Sequence, residues 1–307
     1  MKNYAILFPG QGSQFVGMGS DVFDQRPELL GASADDVLGW SLQQVVAEGP
    51  EEELTRTDRA QPALYATSYA LWDVLTGALP RPPAATAGHS LGEYTALAAS
   101  GALDFTDGLD LVAQRGAAMA EAAALEPSSM AALMGVDAPG AEMIAAGRRD
   151  EGGKLWVANL NAPGQIVLSG SVDDIDWLVA NAAEFGARRV IPLNVAGAFH
   201  SPYMESAAER LGDALGATAF GEGEFPVYAN VTARPMTDPA TQLGQQLTEP
   251  VRFAESIEQM TADGIDAFIH VGPGNVTAGL ARRSAPDAAT YTVSEIDDVD
   301  GAIAFIE

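Results

Sequence analysis

Residues 84–94 read Ala84-Ala85-Thr86-Ala87-Gly88-His89-Ser90-Leu91-Gly92-Glu93-Tyr94. A short apolar run enters a G-x-S-x-G pentapeptide, and an alanine- and leucine-rich stretch follows it up to Gly101. The pattern predicts a strand over 84–87, a sharp turn at Ser90 and a helix that ends before Gly101. This strand–turn–helix setting is the one a nucleophile elbow requires. The turn lifts the serine hydroxyl above the sheet, and the flanking glycines leave room for neighbouring backbone. The helix aims its free N–H groups at the same place, where they can stabilise developing negative charge. In a chain with 32 glycines the pentapeptide also arises by chance as a simple turn, so its context decides.

On either side the same alternation continues. Tyr4–Phe8 reads as a buried strand, and a glycine-rich loop from Pro9 to Gln14 follows. Pro62 suits a first helical position, with the helix running towards Leu75, and Thr106 suits an N-cap for a helix to about Ala124. Strands alternating with helices imply a parallel sheet covered on both faces. The elbow makes that unit α/β-hydrolase-like. The middle has another rhythm: strands over 129–136, 155–159, 165–169 and 188–193, and helices over 139–149 and 172–185. The order β-α-β-β-α-β is that of a ferredoxin-like unit. The expected organisation is α/β, with a large catalytic domain of residues 1–125 and 198–307 and a small subdomain of residues 126–197 inserted in it. The large-domain rhythm resumes with strands over 225–230 and 267–271 and a helix over 253–263.

The 307 residues suffice for a substantial core, and 47% hydrophobic with 19% charged residues is a globular composition. Cysteine is absent, which removes disulfides, thiolate zinc sites and a cysteine nucleophile, and is compatible with a reducing cytoplasm. The five-residue apolar run at the N-terminus is too short for a signal-peptide core. A net charge of −26 repels nucleic acid and anionic membrane, so neither is expected as a partner.

A serine nucleophile needs a proton acceptor, and the sequence offers His89, His200 and His270. His89 adjoins the serine on a sharp elbow, so its ring should point away. His270 ends an apolar strand before Val271-Gly272-Pro273-Gly274 and reads as packed or at the rim of a site. His200 lies in a loop, Val195-Ala196-Gly197-Ala198-Phe199-His200-Ser201-Pro202, between a strand and a helix, where catalytic groups of α/β folds collect. Position alone leaves it open between a catalytic and a structural role.

Several separated motifs occur in order: Phe8-Pro9-Gly10-Gln11-Gly12-Ser13-Gln14, Gly88-His89-Ser90-Leu91-Gly92-Glu93-Tyr94, Gln114-Arg115-Gly116, Asn161-Ala162-Pro163-Gly164-Gln165, Gly197-Ala198-Phe199-His200-Ser201 and Val271-Gly272-Pro273-Gly274. With these the chain resembles, almost end to end, the malonyl-CoA:acyl carrier protein transacylases of fatty-acid synthesis and the acyltransferase domains of polyketide synthases. The resemblance implies Ser90 as nucleophile and His200 as base, with the backbone carbonyl of Gln246 in place of a carboxylate. It implies an oxyanion hole from the N–H groups of Gln11 and Leu91, and Arg115 as a fork for the free malonyl carboxylate. Phe199, Met119 and Asn161 would line the substrate pocket, Phe199 in the form associated with malonyl rather than methylmalonyl units. Two positions depart from the family: Ala120 where glutamine is frequent, and Asn275 where lysine often follows the Gly-Pro-Gly segment.

The implied activity is a ping-pong transfer of malonyl from coenzyme A to the phosphopantetheine arm of acyl carrier protein, by a cytoplasmic monomer. No metal, nucleotide or redox cofactor is expected: there is no Walker loop or H-E-x-x-H, and Gly10-Gln11-Gly12 does not complete a G-x-G-x-x-G. An acidic carrier would need local cations, and Arg188-Arg189 and Arg282-Arg283 are the candidates. A serine thioesterase or hydrolase sharing the elbow, and a non-catalytic carrier-binding scaffold, are the alternatives.

Overall fold

The structure is a computed structural model that describes residues 1–307. Its nine strands are β1 (Tyr4–Phe8), β2 (Ala85–Gly88), β3 (Ser128–Met134), β4 (Leu155–Ala162), β5 (Gln165–Ser171), β6 (Arg189–Pro192), β7 (Val227–Tyr228), β8 (Ala267–Val271) and β9 (Ala289–Val293). Every β1 side chain is out of water: Tyr4, Ile6 and Phe8 join one apolar core, and Ala5 and Leu7 join a second. A strand apolar on both faces belongs inside a parallel sheet. β1 is indeed central in the order β7-β2-β1-β8-β9, with all four neighbouring pairs parallel.

The other sheet is antiparallel, ordered β4-β5-β3-β6, and is built wholly between residues 128 and 192. The helices Ala138–Asp150 and Val172–Ala180 interleave with its strands in sequence. Alternation along β3 splits its side chains. Ala131 and Leu133 pack in a small core with these helices, whereas Met130 and Ala132 join the main core of the molecule. The two sheets thus share apolar interior along one seam. The chain is therefore mixed α/β, with one parallel and one separate antiparallel sheet.

Several element boundaries differ from the sequence expectation. The helix expected from Pro62 starts at Thr57 and runs to Thr76, with Pro62 inside it. One helical hydrogen bond is lost there, but Ala63, Leu64, Tyr65 and Ala66 directly after it are all buried, and packing outweighs the loss. Asp104, not Thr106, caps the helix Phe105–Leu125, its carboxylate accepting from Thr106 N–H at 2.8 Å and Asp107 N–H at 3.3 Å. The helix expected over 172–185 stops at Ala180, and the chain turns before Gly186. β7 keeps only two residues of the strand expected over 225–230.

Candidate active site

β7, β2 and β1 lie side by side and parallel, so Asn230, Ser90 and Gln11 leave the same edge of the sheet just beyond their carboxyl ends. Crevices at this edge are where open α/β sheets bind ligands. The register pairs Phe8 with Gly88, which brings the two following loops into contact. A methyl group on Gly88 would overlap the Gly92 backbone, and one on Gly92 would meet the Phe8 carbonyl. Between these glycines Ser90 has φ +51°, a left-handed conformation that a serine rarely holds.

Ser90 Oγ lies 2.8 Å from His200 Nε2, across 110 positions of sequence. His200 Nδ1–H donates to the Gln246 carbonyl at 2.7 Å, which leaves Nε2 as acceptor for the serine hydroxyl. His200 is also left-handed, at φ +55°. Its loop is fastened by buried serines: Ser169 Oγ donates to the Phe199 carbonyl at 2.5 Å, and Ser201 Oγ to that of Ala198 at 2.6 Å. Burial, reinforced by the nearby Arg115 charge, pulls the imidazole down to about 3, so it is neutral at physiological pH. The other histidines are occupied elsewhere. His89 donates from Nε2 to Asn161 Oδ1 at 2.6 Å, with its ring against Phe253. His270 is buried between the Thr277 hydroxyl and the Gly272 carbonyl.

Arg115 projects from the middle of the Phe105–Leu125 helix and is only 1% exposed, without any carboxylate partner. It donates from Nη1 to Gln61 Oε1 at 2.6 Å, and from Nη2 to Gln246 Oε1 at 2.9 Å and Ser90 Oγ at 3.1 Å. Its Nε and the neighbouring Tyr94 hydroxyl are both buried without an aligned hydrogen-bond partner. The guanidinium carbon stands 5.5 Å from the Tyr94 ring centre. A buried cation held only by neutral acceptors is a strong attractor for an anion.

These groups open into a cleft of about 460 Å³ between the two sheets, polar and apolar in similar measure. Gln11, Leu91, Met119, Asn161 and Phe199 all border it. The N–H groups of Gln11 and Leu91 have no acceptor within the protein, so both are free to point donors at a bound oxygen. Asn161 Oδ1 is already engaged by His89, and Met119 Sδ accepts from Gln61 Nε2 at 3.4 Å.

The arginine pairs lie outside this constellation. Arg283 reaches the β4–β5 turn, donating to the Pro163 carbonyl at 2.9 Å and to Gln165 Oε1, and Arg282 donates to Thr290 Oγ1 at 3.3 Å. Arg188 lies against Gly135, and Arg189 is in β6 opposite Met134. None of the four pairs with a carboxylate. Asn275 sits at the N-cap of the helix Val276–Ser284 without a capping side-chain bond.

Three further side chains at the site were not anticipated: Gln61, Glu93 and Asn230. One signal for Glu93 was available. It is the only charge in Gly92–Ala99, a stretch apolar all round and buried at every residue, and a charge there needs partners. Glu93 Oε1 accepts the Asn230 N–H at 3.0 Å, and Oε2 accepts from Gln246 Nε2. Burial pushes this carboxyl up to about 8, against the pull of its two donors and of Arg115.

Residues 6–295 match the model of a family described as the acyl transferase domain. The chain belongs to that family. This acyltransferase-family chain is 43% identical over 308 residues to the malonyl CoA-acyl carrier protein transacylase of Bacillus subtilis, covering 99% of the chain and 97% of the relative. It is 37% identical to the protein of the same name from Haemophilus influenzae, with both chains fully covered. Among solved structures it superposes with a TM-score of 0.94 on the malonyl CoA-acyl carrier protein transacylase of Coxiella burnetii, at 32% identity over 99% of this chain and 98% of that one. A malonyl-transacylase solved in complex with its type II PKS acyl-carrier protein is similar too, with a TM-score of 0.93, 34% identity and 99% coverage of both chains.

Proposed function

We propose that this chain is an [acyl-carrier-protein] S-malonyltransferase, which moves malonyl from coenzyme A to the phosphopantetheine thiol of an acyl carrier protein through a malonyl-Ser90 ester. The carrying observation is the Ser90–His200 contact of 2.8 Å with an unpaired, buried Arg115 beside it. Ser90 Oγ attacks the thioester carbon while His200 Nε2 takes its proton. The resulting oxyanion accepts hydrogen bonds from Gln11 and Leu91 N–H. The C–S bond breaks, and the departing thiolate takes the proton from His200. In the second half the phosphopantetheine thiol gives its proton to Nε2 and attacks the ester carbon. Ser90 Oγ then leaves with that proton.

Arg115 holds the malonyl carboxylate, giving up its contact with Ser90 Oγ as it does so. Neutralising the guanidinium also removes one of the two main influences that keep His200 from accepting a proton. Phe199, Met119 and Asn161 shape the acyl pocket. The cycle needs no cofactor, since every proton shuttles through one imidazole. Water must be excluded from the ester, or the enzyme becomes a thioesterase.

The finer architecture belongs to the same reading: an α/β-hydrolase-like large domain of residues 1–125 and 198–307, with residues 126–197 as a ferredoxin-like insertion beside the cleft. No helix is long and apolar enough to cross a membrane. We assign the chain to the cytoplasm, as a monomer that docks its acidic carrier on Arg188, Arg189, Arg282 and Arg283. If glutamate at all four left the carrier KM unchanged, that docking surface would be wrong.

Intact-mass spectrometry after mixing with malonyl-CoA tests the function. A malonyl adduct on Ser90 that persists in buffer and clears on adding carrier protein with a free phosphopantetheine thiol is expected. Rapid clearance in water would mark a hydrolase, and no adduct a binding scaffold.

A further inference from the structure

Two side chains behind the elbow take no part in these steps, yet they bracket the serine. Asn230 follows β7, the neighbour of β2. Its Oδ1 accepts the Ser90 N–H at 2.8 Å, and its Nδ2 donates to the Gly88 carbonyl at 2.7 Å. Gln246 Nε2 donates to the Ser90 carbonyl at 2.9 Å. A left-handed residue between strand and helix makes no ladder bond with its main-chain N–H. Here side-chain amides reach both of the Ser90 main-chain groups, the carbonyl also accepting the Glu93 N–H at 3.1 Å.

Glu93 fastens those amides from behind. It is 1% exposed and holds the Asn230 N–H with one oxygen and Gln246 Nε2 with the other. The far end of the Gln246 side chain accepts from Arg115, and its main-chain carbonyl holds His200. A single run of contacts therefore links Glu93, Gln246 and Arg115, with the nucleophile and the imidazole attached to its middle. The titratable and charged groups around Glu93 are Arg115 from the Phe105–Leu125 helix and Tyr94 on its own helix, with His200 joined to it only through Gln246.

On the reading of Ser90 as the acyl-carrying nucleophile, we propose that Asn230 and Glu93 are positioning residues of this active site. Asn230 keeps the Ser90 backbone left-handed so that Oγ faces His200. The ionised Glu93 fixes the Gln246 amide, so that its oxygen stays on Arg115 and its nitrogen on the Ser90 carbonyl. Because burial raises Glu93 to about 8, the fully clamped form gains population as pH rises through that value.

Two variants test this. Asn230→Ala removes both bonds to the elbow. Glu93→Gln keeps the shape but offers one acceptor oxygen to two donors, so one partner is released. Ser90 labelling by a fluorophosphonate, followed by intact mass, needs the serine–histidine pair but no acyl-CoA. With misplacement of reacting atoms as the cause, labelling and malonylation kcat should both fall about 10²-fold in Asn230→Ala and about 10-fold in Glu93→Gln, with KM for malonyl-CoA changed less than about twofold. The wild-type rise in rate from about pH 7 to about pH 9 should be absent from Glu93→Gln. Wild-type labelling rates in both variants would overturn the proposal. So would a loss that vanishes once rates are divided by the folded fraction read from far-UV circular dichroism, since a merely destabilised fold lowers the amount of active enzyme and leaves KM and the pH profile as they were. If wild-type protein labels but accepts no malonyl, the transferase reading fails, and the labelling comparison still decides the roles of Asn230 and Glu93.

Discussion

His200 donates its Nδ1–H to the main-chain carbonyl of Gln246 at 2.7 Å, where a carboxylate would stand in a serine–histidine–aspartate triad. A neutral carbonyl fixes the tautomer and the ring plane, but it stabilises an imidazolium less than a charge would. Burial and the Arg115 charge outweigh that bond and leave the imidazole a weak base, at about 3, whose advantage is that it is neutral before the reaction at physiological pH.

The bond to His200 survives any side chain at position 246. Gln246→Ala should therefore cost only about 10-fold in malonylation, through the lost amide contacts to the Ser90 carbonyl and Arg115, whereas His200→Ala should cost about 10²–10⁴-fold. Single-turnover mass spectrometry measures both. Equal losses would mean that the carbonyl does not orient the ring.

Arg115→Ala should lower kcat/KM for malonyl-CoA by about 10²–10³-fold, because the substrate carboxylate would then be buried without a partner. Acetyl-CoA, with no carboxylate to satisfy, should lose little or improve. Competition between the two thioesters, read as the ratio of adducts on Ser90, checks this. An unchanged ratio would remove Arg115 from substrate selection.

Two of the buried titrating groups, His200 and Glu93, act on stability in opposite directions. His200 is depressed, so the unfolded chain binds more protons and stability falls as pH drops from 6.5 towards 3. Glu93 is raised from 4.5 to about 8, so the folded chain binds more protons in that window and stability falls as pH rises through it. Urea melts from pH 5 to pH 8 should show wild type losing ground to Glu93→Gln as pH increases. A constant difference would place the Glu93 titration elsewhere. Malonylation should also lack an inflection near 6.5, since His200 is neutral on both sides of it.

Gly88→Ala should be among the most damaging single-methyl changes in the chain. The new carbon overlaps main-chain atoms of Gly92, which no side-chain rotation can relieve. A loss of about 3 kcal/mol or more is expected, measurable by urea denaturation, and Ser90 labelling should vanish even where folded protein remains.

Ser90 was legible because local chemistry demands it: glycines on both sides, a strand before and a helix after. His200 was not legible on the same terms, since nothing in a loop 110 residues downstream says which strand end it will face. The motif resemblance, rather than spacing, assigned it. Strand β1 followed from an unbroken apolar run, Tyr4–Phe8, and the two-sheet division from the change of rhythm after residue 126. Gln61 stayed hidden because a lone glutamine before a proline looks like a helix start. In fact it is buried in the second turn and facing Arg115. Asn230 stayed hidden for a related reason: its value depends on β7 lying beside β2, a pairing between segments 140 residues apart.

The seam between the sheets has a consequence for anyone exchanging parts among such enzymes. Met130 and Ala132 of β3, Ala158 of β4 and Val167 of β5 turn their side chains into the main core, and Met130 and Val167 also border the cleft. Grafting residues 128–192 from a cousin would thus alter acyl preference and folding yield together. A successful chimaera has to match its underside to the host before its loops are considered.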